Sequence, residues 1–229
     1  MTSPAAPTFD ASRMLSFDLE TTSANPMEAR IVTSALVTID GSSSDPYEML
    51  ADPGVEIPEE AAKIHGVTTE KARAEGRPHD DVLAETVRRI KEGWEKGLTL
   101  VVYNASYDLT ILRQLTGDFT VTGPVFDPYV IDKAKDRYRK GKRTLTDVSA
   151  FYGVSLGNAH EATADALAAA RVAWKQVNKA FPELKTMNTD ELMEFQAVSY
   201  YEMQVDLKKY LDSRGRDTSD LNTSWPMQG

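Results

Sequence analysis

Asp18 and Glu20 stand two residues apart in the segment Met14 to Glu20, where Leu15, Phe17 and Leu19 alternate with Ser16, Asp18 and Glu20. A period of two is that of a strand, so both carboxylates leave one face and the apolar side chains the other. Two acids side by side on a mostly buried strand repel and lose solvation, which a bound cation offsets. A solvated strand face accounts for the same pair. Asn104 and Asp108 are four residues apart, one helical turn, and follow the apolar run Leu98 to Tyr103. Both then point the same way from the C-terminal end of a central strand, the edge where α/β sheets gather ligands. Locally, Asn104 also reads as the cap of a helix from Ala105, with Asp108 complementing its dipole. His160 lies in a loop and Asp165 in the first turn of the next helix, and neither belongs to that helix's core stripe. A loop histidine and a first-turn aspartate each have surface roles. Together the three groups follow one another in an order that lets them converge.

Composition limits what such a cluster can hold. None of the 229 residues is cysteine, so disulfides and thiolate metal sites are excluded. Oxygen and imidazole ligands suit a hard cation, Mg²⁺ or Mn²⁺. The formal charge of −9 argues against a nucleic-acid partner. Charge is uneven, however: Lys133, Lys135, Arg137, Arg139, Lys140, Lys142 and Arg143 face only Asp136 in their stretch. By itself that run reads as a solvated surface. No basic start followed by an apolar run opens the chain and no stretch has spanning length, so a soluble, cytoplasmic protein without a membrane partner is expected.

The elements that must position these residues follow from periodicity. Residues 1–12, rich in Pro, Ala, Ser and Thr, are expected to form a disordered tail. After the first strand, Ile31 to Ile39 reads as a second, Gly41 to Pro46 as a turn and Tyr47 to Ala51 as a third, giving an antiparallel meander. Val82, Leu83, Val87, Ile90 and Trp94 predict a helix from Asp80, and Leu98 to Tyr103 a strand buried on both faces. Helices are expected at about Ala105 to Leu115, Pro128 to Tyr138, and Thr144 to Tyr152 with Thr144 as cap. From Ala162 to Phe181, Leu167, Ala170, Trp174, Val177 and Phe181 read as a core stripe. Alanines 162, 166, 169 and 173 form a second stripe that permits close approach to a sheet. A last helix, Thr189 to Ser213, opens on Asn188 with Glu191 three residues later and precedes a polar tail containing Trp225.

Three motifs resemble those of the DnaQ-like DEDDh exonucleases: Phe17-Asp18-Leu19-Glu20-Thr21-Thr22, Tyr103-Asn104-Ala105-Ser106-Tyr107-Asp108, and His160-Glu161-Ala162-Thr163-Ala164-Asp165-Ala166. Ile64-His65-Gly66-Val67-Thr68 is similar to a segment common between the first and second motifs, and the likeness covers about residues 13–180. Tyr103 and Tyr107 stand where many members have His and Phe. The resemblance implies an RNase H-like α/β fold, a central mixed sheet flanked by helices, over residues 13–182, with a C-terminal helical extension over 183–229. It implies two Mg²⁺ or Mn²⁺ ions, with Asp18, Glu20 and Asp165 on the first, Asp18 bridging, Asp108 helping to hold the second through water, and His160 as general base. Two metals suit in-line phosphoryl displacement, and a histidine of ordinary pKa accepts a proton near neutrality.

The activity so implied is 3′–5′ exonuclease action on single-stranded or frayed DNA ends. Leu19, Thr21, Thr22, His65 and Asn104 are candidates for holding the terminal nucleotide, although turn and capping roles explain the same residue types. Lys140, Lys142 and Arg143 are candidates for tracking upstream phosphates. An RNA substrate, as in the RNase T and oligoribonuclease branches, remains open, as does a proofreading role with a polymerase partner. The segment after Pro182 resembles the tail of free-standing bacterial and phage exonucleases more than a polymerase tether. A binding module without chemistry would lack some of the acids, and none is missing.

Overall fold

In the computed structural model, residues 6–157, 159–219 and 221–228 are described. β1 (Arg13–Thr21), β2 (Ile31–Asp40) and β3 (Ser43–Asp52) form the expected antiparallel meander. The turn between β2 and β3 is tighter than expected, because Gly41 at φ 61° reverses the chain at once and β3 begins at Ser43. Pro46 then pairs with Val37 inside β3. A proline is tolerated there because β3 has a neighbour on its outer side only at Ala51 and Asp52.

Two short helices, α1 (Glu59–His65) and α2 (Thr69–Glu75), follow. At seven residues each they are too short to show a hydrophobic period, so their ends carry the signal: Gly66 at φ 75° closes α1, and the Thr68 side chain caps α2. β4 (Arg77–Pro78) adds to β3, and α3 (His79–Glu95) leads to β5 (Thr99–Val101). α4 (Ala105–Thr116), β6 (Val125–Phe126), α5 (Pro128–Lys135), α6 (Leu145–Phe151), α7 (Ala162–Lys175) and α8 (Thr189–Asp212) complete the order. The sheet runs β4-β3-β2-β1-β5-β6, with β5 parallel to both β1 and β6. It is the mixed, helix-flanked sheet that the motifs imply.

β1 is central, and its two faces meet different helices. Leu15, Phe17 and Leu19 pack with Val82, Ile90, Leu109 and Leu112 of α3 and α4. On the other face Met14 packs with Ala169, Ala170 and Ala173 of α7. Asp18 and Glu20 share this α7 face by the period of two.

The stripe on α7 differs from expectation. The buried positions are Ala162, Ala166, Ala168, Ala169, Ala170, Val172 and Ala173, while Trp174 is 39% exposed and Leu167 only half buried. Alanine wins the sheet-facing side because the backbone itself approaches β1: the Ser16 hydroxyl donates to the Ala166 carbonyl at 2.6 Å. A leucine or tryptophan there would hold the helix off.

Both chain ends also depart from expectation. Residues 6–12 pack against the body, and the rest of the expected tail, residues 1–5, lies outside the described residues. Phe9 is buried and stacks on Phe126 with ring centroids 4.5 Å apart, and the Pro7 carbonyl accepts from Thr189 N at 2.7 Å. Burying one phenylalanine contributes about 1.5–3 kcal/mol, and the Phe126 stack, buried Ala11 and the Pro7 bond add to it against an ordering entropy of about 1–2 kcal/mol per residue. At the other end Trp225 is buried rather than part of a polar tail. α8 opens as expected, with a reciprocal capping box between Asn188 and Glu191. No helix among the described residues is long and apolar enough to cross a membrane.

Candidate active site

The four acids reach the site from three elements. Asp18 and Glu20 come from β1, with Leu19 between them, and Leu19 N donates to Asp108 Oδ1 at 3.1 Å. That bond ties α4 to the strand between its two acids, and Asp108 is buried at 4% exposure. Asn104, just before α4, adopts the left-handed conformation (φ 63°, ψ 51°) and makes no side-chain cap. Capping is supplied from elsewhere: buried Asp127 accepts from Asn104 N at 2.9 Å and from Ala105 N at 2.8 Å. The Asn104 side chain is thereby left over for the cleft it lines.

α7 brings the last pair. Its alanine face lets the first turn lie against β1, and Glu48 of β3 accepts from Thr163 N at 3.1 Å and from the Thr163 hydroxyl. His160 takes a left-handed φ of 68°, rare for a residue with a Cβ, and its N donates to Asp165 Oδ2 at 3.3 Å. One ligand atom from each of Glu20, His160 and Asp165 lies within 4.8 Å of the others. The other Asp165 oxygen, Oδ1, is buried with no hydrogen-bond partner.

The electrostatics are those of an uncompensated cluster. Burial, then Asp108, Asp165 and Glu20, push the Asp18 carboxyl well above the usual range. Burial pushes Asp108 well up too, although N–H groups including that of Leu19 oppose it. Glu20 is pushed up to about 8, by burial first and then by Asp165 and Glu48. Asp165 is raised by burial, against the opposing His160 N–H and imidazole charge. Crowded carboxylates that hold protons more tightly, together with a buried oxygen lacking a donor, fit a divalent cation in chemistry and placement.

Two clefts flank the acids. One of about 470 Å³ is lined by Leu19, Glu20, Thr21, Thr22, His65 and Tyr107 among others. A second of about 330 Å³ includes Asp18, Asn104, Asp108, Tyr103, Tyr129 and Arg143 in its lining. All five candidate nucleotide-holding residues thus border the acid cluster. Their commitments differ. Thr22 Oγ1 accepts from Arg30 N at 3.0 Å, Thr21 Oγ1 meets the Tyr107 hydroxyl, and His65 Nδ1 accepts from Val67 N at 3.2 Å. Burial holds the His65 imidazole below its usual range.

The RNase T exonuclease family model matches residues 15–173. The chain belongs to this exonuclease family. The matched model is that of a DnaQ-like exonuclease domain. It is 27% identical over 198 residues to the PolC-type DNA polymerase III of Clostridium perfringens, covering 84% of this chain and 13% of that protein. For the PolC-type polymerase of Listeria welshimeri the identity is 28% over 168 residues, 72% of this chain and 11% of the relative. The chain thus spans about an eighth of these relatives. E. coli Exonuclease I in complex with a dA16 oligonucleotide shares the fold at TM-score 0.60 and 21% identity, over 76% of this chain and 42% of that one. Exonuclease X in complex with 5′-overhanging duplex DNA does so at TM-score 0.57 and 16% identity, over 80% and 99%.

The exonuclease's basic run looks different in three dimensions. Lys135 pairs with Glu183, Arg137 with Asp206, and both Arg139 and Arg143 with buried Asp132. The Arg143 guanidinium also donates to the carbonyls of Asp136 and Arg139, so it builds the loop before α6 while it lines the cleft beside Asp18 and Asp108. Lys140 and Lys142 are exposed. Three acids escaped sequence reasoning: Asp127, Asp132 and Glu48. Asp127 carries a legible sign, an aspartate before Pro128 at a helix start. Its reach to the Asn104 turn, and the partners of Asp132 and Glu48, exist only in the fold.

Proposed function

We propose that the exonuclease domain, residues 13–182, removes nucleoside monophosphates from the 3′ end of DNA, single-stranded or frayed, and that residues 183–229 form a helical extension. The carrying observation is the convergence of Asp18, Glu20, Asp108 and Asp165, from a strand and two helices, into one cluster with raised proton affinity. Asp18, Glu20 and Asp165 would hold one divalent cation, Mg²⁺ or Mn²⁺, and Asp18 and Asp108 a second. When bound, the cations supply electrostatic stabilisation of charge developing on the phosphoryl oxygens. His160 takes the proton of the attacking water, held at the mouth of the cluster by its contact with Asp165. Leu19, Thr21, Thr22, His65 and Asn104 orient the terminal nucleotide from the two clefts, and Lys140 and Lys142 meet phosphates upstream.

The test uses matched single-stranded DNA, duplex DNA and RNA, each labelled at the 5′ end, with wild type and His160→Ala. Wild type should shorten the single strand stepwise in Mn²⁺ and stop in EDTA. His160→Ala should cut kcat about 10²–10⁴-fold with Mn²⁺ affinity nearly unchanged by calorimetry. RNA degraded in preference to DNA would replace the substrate, and a tenfold weaker Mn²⁺ affinity would make His160 a ligand. The PolC-type relatives support a second reading, proofreading beside a polymerase. Co-purification with polymerase subunits would favour it.

A further inference from the structure

The family model ends at Ala173, yet Trp225, much later in the chain, reaches the scaffold of the acid cluster. Its buried indole donates from Nε1 to Asp127 Oδ2 at 3.2 Å. The same oxygen accepts from Ala105 N, while Oδ1 accepts from Asn104 N at 2.9 Å and from Tyr129 N at 3.0 Å. Asp127 therefore bridges the start of α5 and the start of α4 with one carboxylate. The torsion that turns this carboxylate plane is soft, so the plane is set by its donors. Four of those donors, the N–H groups of Asn104, Ala105, Tyr129 and Val130, belong to the two segments being joined. Trp225 is a donor from outside both.

Neighbouring bonds hold Trp225 in that place. The Ser106 hydroxyl donates to the Ser224 carbonyl at 3.3 Å, and Gln228 N donates to Thr110 Oγ1 at 2.9 Å, both on α4. Gln196 of α8 accepts from Asp127 N at 2.6 Å, which fixes the backbone behind the carboxylate. Asn104 sits in a left-handed conformation unfavourable to a residue with a Cβ, so the turn before α4 keeps its shape only while its amides are held. One helical turn further on, Asp108 meets Leu19 N between Asp18 and Glu20.

We propose that Trp225 is a positioning residue of the exonuclease: its indole N–H fixes the Asp127 carboxylate and, through the Asn104–Ala105 turn, the placement of Asp108 in the acid cluster. Its activity readout rests on the function proposed above. The kinetic consequence is specific, because a small misplacement of a catalytic carboxylate changes turnover more than substrate binding.

The experiment compares the full chain with Trp225→Phe, Asp127→Asn, the double variant, and Trp174→Phe as a control for losing an indole N–H elsewhere. Trp225→Phe keeps a buried ring but removes the donor together with the pyrrole half of the indole. On a labelled single strand in Mn²⁺, its kcat should fall about tenfold with KM within about twofold. Amide exchange by NMR should accelerate at Asn104, at Ala105 and at Leu19, whose N–H meets Asp108, and stay unchanged in β2 and β3, with Trp174→Phe like wild type throughout. The double variant should be no slower than Asp127→Asn alone, since both act on one carboxylate. Wild-type kcat and exchange in Trp225→Phe would overturn the proposal, as would additive losses in the double variant or exchange raised evenly across the chain. If Asp127→Asn does not fold, the Asn104 and Ala105 exchange in Trp225→Phe decides. If wild type degrades no nucleic acid, the exonuclease reading fails, while the same exchange rates still judge the positioning role.

Discussion

Asp132 and Asp108 are both buried aspartates on helices, and their surroundings differ in sign. Asp132 receives Arg139 and Arg143 at one oxygen and the Tyr152 hydroxyl at the other, 2.8 Å away. Asp108 lies near Asp18 and Glu20, which Asp165 also approaches, and among the described residues no lysine or arginine forms an ion pair with any of the four. The first centre is closed by the protein's own cations and ties the loop before α6 to α5. The second is left short of positive charge. Burying carboxylates without partners costs stability, so a fold that keeps four of them together has been shaped by something other than stability. Loss of an acid should therefore have opposite effects at the two centres.

The largest effect is expected on activity. Asp18→Ala or Asp165→Ala should reduce turnover of single-stranded DNA by roughly 10²–10³-fold, the scale of losing a preorganised electrostatic group. The metal-free melting temperature should hold or rise, because a repelling carboxylate is gone. Near-normal turnover by either folded variant would remove these acids from the chemistry.

Asp132→Ala is expected to act the other way, strongly on stability. Removing one member of a buried ion pair costs about 3–5 kcal/mol, because Arg143 loses its carboxylate and Arg139 keeps only Asp136. Chemical denaturation would measure it, and a loss below about 1 kcal/mol would mean that the arginines find water or new acceptors.

A smaller, pH-dependent effect separates the centres further. Glu20 titrates at about 8 in the fold against an ordinary 4.5, so its contribution is fully present below about 4.5 and is lost as pH rises through about 8. Asp18, Asp108 and Asp165 shift in the same direction. His65 and His79 are lowered, so their contribution is lost instead as pH falls below the ordinary histidine range. Between about pH 6.5 and 8 the metal-free protein should therefore melt progressively lower. Mn²⁺ should abolish that slope and add about 2.7 kcal/mol per site at a hundredfold excess over Kd. A flat metal-free profile would show that the acids are compensated without metal.

The smallest effect belongs to Lys140 and Lys142, the exposed remainder of the basic run. Replacing both with glutamine should raise KM a few-fold for long strands at low salt, flatten its salt dependence and leave dinucleotides unaffected. Equal changes on long and very short substrates would return them to the solvated surface.

Local patterns determined much of this protein. A period of two put Asp18 and Glu20 on one face of β1, since strand geometry needs no partner to alternate its side chains. Caps at Thr144 and Asn188 were legible because the groups they satisfy lie within a few residues. The spacing of Asp108 from Asn104 placed it in the first turn of α4 for the same reason. Tertiary structure decided whatever depends on distant partners. Trp174 and Leu167 yielded the core face of α7 to alanines because β1 approaches the helix backbone itself. The pairing of Arg143 with Asp132, eleven residues earlier, could not be read from the basic run. Phe9 and Trp225 sit in segments with no periodicity, and only the cavities beside Phe126 and Asp127 give those rings a place to bury. Local geometry repeats along the chain and can be read from it, whereas burial and pairing are properties of surfaces that meet only when the chain is folded.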